Sequence, residues 1–166
     1  GILSDVDEYE RTENLRLGWT KVKELPSSFE QQSKLKLLHL KGSGIERLPS
    51  SFNNLTQLLH LEVSNCSNVQ TIPELPPLLK TLNAQSCPSL QTLPEFPLSI
   101  KTLSAVDCKS LETVLFPSSA VEQLKKNRRQ VRFWNCLNLN EHSLVAIVLN
   151  VQTDVMKFAN RHLSPL

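Results

Sequence analysis

One frame recurs along this chain at a nearly constant interval. Leu38, Leu61, Leu82 and Leu103 each sit in the pattern L-x-x-L-x-L/V/A-x-x-C/x (with Ile100 as the opening residue of the last), with steps of 23, 21 and 21 residues. Upstream, Leu15 and Leu17 stand 23 residues before Leu38 and Leu40, and "LPSSF" occurs at 25–29 and again at 48–52. Downstream, "VRFWNC" puts Val131, Phe133 and Cys136 in the same frame after a longer interval of 28 residues. That makes six units. A period this short cannot enclose a core within one unit, so neighbours must stack and share one.

A period of about 20–29 residues with this consensus is that of the leucine-rich repeat. In its L-x-L segment alternate side chains face opposite ways, so each unit offers one short strand to a parallel sheet and turns its leucines inward. The Leu/Ile-Pro pairs that follow (Leu25-Pro26, Leu48-Pro49, Ile72-Pro73, Leu93-Pro94) carry the chain to the opposite, convex side. Proline fixes φ and lacks an N–H, so that side is expected to be extended or 3₁₀ rather than strand. The fold expected is an α/β solenoid: short parallel strands on the concave face, a Pro-rich convex side and a C-terminal capping helix. The solenoid spans 1–136, with an insertion at 117–130, and the capping helix and tail span 137–166.

Cys66, Cys87, Cys108 and Cys136 fall at one position of this frame. Metal binding requires ligands that converge on a point, whereas repeat-equivalent residues line up in a row about 4.8 Å apart. The slot lies just past the strand, where a buried weak donor meets a neighbouring unit's carbonyls, and the cysteines read as scaffold.

The insertion "SSAVEQLKKNRRQ" contains the basic cluster Lys125, Lys126, Arg128 and Arg129, with Arg132 just beyond, and reads as a solvated surface turn. Ser119 is placed to cap a short helix bearing Val121 and Leu124. After "NCLNLN" the period changes: Leu144, Ile147, Val148, Val151, Val155, Phe158 and Ala159 form a stripe at helical spacing. Asn140 fits the N-cap, Glu141 favours the positive end of the dipole, and Leu139 with Leu144 can staple the entry. A helix of about 20 residues is expected to cover the end of the solenoid. Nothing comparable precedes Leu15, and the chain reads as cut from a longer one.

Composition narrows the function classes. Hydrophobic residues make up 40% and charged residues 20%, and the formal charge of +2 is too small to make nucleic acid the main partner. No apolar run is long enough to span a membrane, and "GILSDVDEYE" has no signal-peptide pattern. No phosphate-binding glycine loop, nucleophile elbow or zinc spacing is present, so no catalytic residue, cofactor or metal is expected.

The frame also names the side chains on the concave sheet face. Between the two strand leucines stand Arg16, His39, Glu62, Asn83, Ser104 and Arg132, and two places earlier Asn14, Leu37, His60, Thr81, Thr102 and Gln130. Two places later come Gly18, Lys41, Ser64, Gln85, Val106 and Trp134, then Trp19, Gly42, Asn65, Ser86, Asp107 and Asn135. His39, Glu62 and His60 come together here, but an open face cannot exclude water, so a polar ladder is the better reading. The protein-binding residues expected are Arg16, Trp19, His39, Lys41, His60, Glu62, Asn83, Gln85, Asp107, Arg132 and Trp134. His142 and His162 are expected at the surface.

"LKLLHLKGSGIERLPSSFNNLTQL", the C-x-x-L-x-x-L/I-P-E-L/F-P units and above all "RQVRFWNCLNLNEHSLVAIVLNVQTDVMKFAN" resemble the C-terminal repeat region of plant TIR–nucleotide-binding–leucine-rich-repeat immune receptors. The resemblance implies recognition of a pathogen effector or a guarded host protein, contacts with the other domains of a parent receptor, and a cytoplasmic or nucleocytoplasmic location. In that family the TIR domain cleaves nicotinamide dinucleotides and a central domain exchanges ADP for ATP; neither signature occurs in this sequence, nor does the β-sandwich that often follows. Two other readings stay open. One is an extracellular repeat receptor, since Asn54-Leu55-Thr56 and Asn65-Cys66-Ser67 are formal glycosylation sequons. Against it, disulfide-bonded caps and a G-x-I-P convex motif are missing. The other is a repeat scaffold with a purely intramolecular packing role.

Overall fold

The computed structural model describes residues 13–25, 29, 34–116 and 129–150, the last three as backbone only. Six strands of three residues make one parallel sheet: β1 (Asn14–Arg16), β2 (Leu37–His39), β3 (His60–Glu62), β4 (Thr81–Asn83), β6 (Thr102–Ser104) and β8 (Gln130–Arg132). Their order is β1-β2-β3-β4-β6-β8, and the register never slips: Leu15, Leu38, Leu61, Leu82, Leu103 and Val131 are successive partners. The alternation that suggested the strands also fixes that register, because a slip of one residue would turn every leucine outward.

The core is a stack of such rows. Leu17, Leu40, Val63, Ala84, Ala105 and Phe133 form the next row inward, and Leu35, Leu58, Leu79 and Ile100 the row before the strands, all buried. Phe29, Phe52 and Phe96 fill the width between the faces. Phe96 meets Phe116 edge-on, with ring centroids 5.3 Å apart.

The four cysteines are free and buried, and each reaches one unit back. Cys66 Sγ donates to the Leu40 carbonyl at 3.1 Å, Cys87 to Val63 at 3.1 Å, Cys108 to Ala84 at 3.0 Å and Cys136 to Ala105 at 3.0 Å. Each thiol thus contacts the carbonyl of an inward-facing residue in the preceding unit. Burial pushes the Cys66 thiol up and lifts Cys136 to about 11, while the neighbouring Cys108 and then burial raise Cys87. The row continues as hydroxyls: Ser43 Oγ lies 3.7 Å from Cys66 Sγ, and Thr20 Oγ1 donates to the Leu17 carbonyl at 2.7 Å.

The convex side departs in part from expectation. After Pro49, Ser50–Asn54 form a 3₁₀ turn, as proline should favour. Further on, however, β5 (Thr92–Leu93) and β7 (Thr113–Val114) pair in parallel, and Thr71 bridges to Thr92. Proline explains the limit of this second ladder. Pro73 and Pro94 follow its strand positions and cannot donate, whereas Leu115 stands at the equivalent place and its N–H reaches the Leu93 carbonyl at 3.3 Å.

The helix α1 spans Glu141–Asn150; the remainder of the expected helix lies outside the described residues. Asn140 caps it, Oδ1 accepting the Ser143 N–H at 2.8 Å. The same residue fastens the helix to the convex ladder, its backbone N–H reaching the Glu112 carbonyl at 2.9 Å and Nδ2 the Thr113 hydroxyl at 3.1 Å. Ile147 is buried and Leu144 packs partly against the core.

Lys125, Lys126 and Arg128 lie outside the described residues, but Arg129 corrects the reading of a solvated turn. It is 8% exposed. Its Nε donates to the Ile100 carbonyl at 2.7 Å and Nη2 to the Leu98 carbonyl. Where the other units place Glu13, Lys36, Leu59, Lys80 and Lys101 before the strand, this one folds a guanidinium under the preceding unit, and burial lowers its pKa.

Candidate binding face

The outward side chains of the six strands make two straight columns. Register sets Arg16, His39, Glu62, Asn83, Ser104 and Arg132 side by side, and Asn14, Leu37, His60, Thr81, Thr102 and Gln130 beside them. Arg16, His60 and Arg132 are exposed; His39, Glu62 and Asn83 are half-buried. Lys41, Gln85, Asp107 and Trp134, just past the strands, are also half-buried, and Trp19 is 71% exposed.

Two positions expected on the exposed face are buried, Ser64 and Ser104. Both side chains are short. Ser64 turns its hydroxyl onto Glu62 Oε1, and Ser104 lies between the longer Asn83 and Arg132 in register.

Several polar groups are held by neighbours. Arg132 Nη2 donates to Gln130 Oε1 at 3.2 Å, and Asn135 Nδ2 to Asp107 Oδ1 at 2.7 Å. Asn83 Oδ1 accepts the Gln85 N–H at 3.1 Å. His39 and Glu62, adjacent in register, do not converge. The imidazole lies against Gly18, where an added Cβ would fall 2.9 Å from its Cε1 and Nδ1, while Glu62 accepts from Ser64. Among the described residues no group of three His, Cys, Asp or Glu could hold a metal ion. A polar depression of about 570 Å³ lies off this face, lined by Glu46, Arg47, Asn68, Gln70, Thr71 and Ser89.

The column after Lys41 has a property that the strand pattern did not reveal. Trp19, Gly42, Asn65, Ser86, Asp107 and Asn135 all adopt positive φ, between 56° and 68°. Each donates its N–H one unit forward where a following unit exists; Asn65, for example, reaches the Gln85 carbonyl at 3.0 Å. The left-handed residue swings the chain out of the strand, so that the next residue, Cys66 or its equivalent, points inward. Gly, Asn and Asp fill four of the six places, a composition signal for αL that was legible.

No protein-family model matches the chain. Curated relatives do. A probable disease resistance protein of Arabidopsis thaliana is 32% identical over 76 residues, 46% of this chain and 4% of that protein. A second from the same plant is 41% identical over 64 residues, 38% of this chain and 7% of the relative. TMV resistance protein N of Nicotiana glutinosa is 39% identical over 59 residues, 36% of this chain and 5% of its own length. This chain is related to plant disease resistance proteins. It spans only 4–7% of the length of these relatives. Among the described residues no helix is long and apolar enough to cross a membrane.

Proposed function

We propose that this chain is the recognition and autoinhibition region of an intracellular plant immune receptor, and that its concave face binds a pathogen effector or a guarded host protein. The observation behind this is the two unbroken columns of outward side chains on the six-stranded sheet, which the core does not use. A rigid, curved face with many polar groups and an aromatic at each end suits a protein surface better than a small molecule, which needs a walled cleft. Catalysis belongs to other domains of the parent receptor, and this repeat region holds those domains inactive until the face is engaged.

The test replaces Arg16, His39, Glu62 and Arg132 together by alanine in the full-length receptor and scores cell death in leaf tissue, with and without a triggering pathogen. Loss of the triggered response at unchanged protein level is the expected result. Death without a pathogen would mean that these residues clamp the receptor and that recognition lies elsewhere. An unaltered response would remove the concave face from both roles.

A further inference from the structure

Trp19 departs from the chemistry of its own column. Asn65, Asp107 and Asn135 are residue types that visit positive φ readily, Gly42 has no Cβ and Ser86 is small. A tryptophan at φ 59° is an outlier, and at 71% exposure burial is not what holds it there. The turn of the repeat sets this φ in every unit, so what calls for an explanation is the choice of a large, exposed ring at this one.

The neighbouring unit accommodates the ring. A Cβ on Gly42 would lie 2.2 Å from the indole Cε3 and 2.4 Å from Cζ3. The ring therefore rests across Gly42, in space that any other residue would fill, and most of the residue stays exposed. The surrounding charge is one-sided. The concave positions of the first two units carry Arg16 and Lys41 and no carboxylate. The next unit supplies Glu62, already engaged by Ser64.

Two cations disfavour a cationic guest on the indole and favour a planar apolar group flanked by negative charge. A nucleic-acid strand would offer that at one base, but its phosphates would then run onto Glu62 and Asp107 further along the face. A short acidic stretch of polypeptide fits the two units without that conflict. We propose that Trp19, with Arg16 and Lys41, is the anchor site for an aromatic side chain adjacent to Asp or Glu in a partner protein. This rests on the concave face being a binding surface, and it names the chemistry that one end of that face selects.

The test pans random short peptides against the chain and measures each selected peptide on the wild type, Trp19→Asn and Arg132→Ala. Asparagine serves at this column in Asn65 and Asn135, so it removes the ring and keeps the turn; Trp19→Gly is a second ring-free variant. The expected peptides carry Phe, Tyr or Trp beside Asp or Glu, and bind both ring-free variants about ten-fold or more weakly, as loss of an aromatic anchor should. Peptides sensitive to Arg132→Ala but not to Trp19→Asn would overturn this inference and leave the wider reading of the face standing. Peptides indifferent to both changes, or no enrichment, would count against both. Basic or aromatic-free peptides that still need Trp19, or oligothymidine binding that needs it, would overturn the acidic-peptide assignment.

Discussion

Ser143, buried in the first turn of α1, accepts the backbone N–H of Val114 at 3.0 Å. With the Asn140 bonds to Glu112 and Thr113, it makes the start of the helix an extension of the convex ladder. Ser143→Ala leaves the Val114 N–H buried without that acceptor and should cost about 1–3 kcal/mol. Asn140→Ala removes the cap and should cost about 0.5–2 kcal/mol. Urea melts of the two variants measure both, and a neutral Ser143→Ala would mean that the helix does not seal this end.

Core and face should respond differently to truncation. Leu61 is 1% exposed in the middle strand rows, and Leu61→Ala should cost about 2–5 kcal/mol through the cavity left behind. Arg16→Ala and Arg132→Ala, on exposed strand positions, should each cost well under about 1 kcal/mol. Equal losses in denaturant melts would mean that the strand faces are assigned the wrong way round.

The thiol row predicts a dependence on alkaline pH. Cys136 is lifted from 9.0 to about 11, and Cys66 and Cys87 are raised as well. The folded chain therefore holds these protons more tightly than the unfolded chain. Their contribution to stability is complete below about pH 9 and is lost as pH climbs toward 11. The urea midpoint should fall over that window. Cys136→Ser, in a row that already accepts Ser43 and Thr20, should lessen the fall. At neutral pH the four thiols should resist a disulfide reagent until urea is added.

Gly42 and Trp19 should be coupled. Gly42→Ala places a Cβ within 2.2 Å of the indole at a φ of 68°, and should cost more than the 1–2 kcal/mol or so expected for left-handed strain alone. In a Trp19→Asn background only the backbone part remains. A double-mutant cycle measures the difference, and strict additivity would place the ring elsewhere.

Much of this architecture was legible because a period-2 pattern nested in a fixed repeat leaves one strand assignment. All six strands of the main sheet fall on the frame set by Leu38, Leu61, Leu82 and Leu103. Asn140 was legible as a cap for a similarly local reason, one side chain serving one turn. What escaped depends on contacts between units. Ser64 and Ser104 are buried by their neighbours and not by their own position in the frame. Arg129 belongs to a basic run in the sequence, yet carbonyls of the preceding unit draw it inward. The β5–β7 ladder forms where a proline is absent, at Leu115. The left-handed column carried a signal in its Gly, Asn and Asp residues, but Trp19 and Ser86 obscured it.

The spacings of 23, 23, 21, 21 and 28 residues between successive strands vary by a third, yet the sheet register is unbroken. Strand, left-handed residue and thiol or hydroxyl form a fixed splice that reads only the units on either side of it. The variation in length falls, in the sequence, between one splice and the next strand. A unit bounded by that splice behaves as an interchangeable cassette: duplicating, deleting or exchanging one lengthens or rewrites the outward columns while every remaining joint is preserved. The outer face of this protein can therefore be revised one strand at a time, at no cost in how the rest of the chain is aligned.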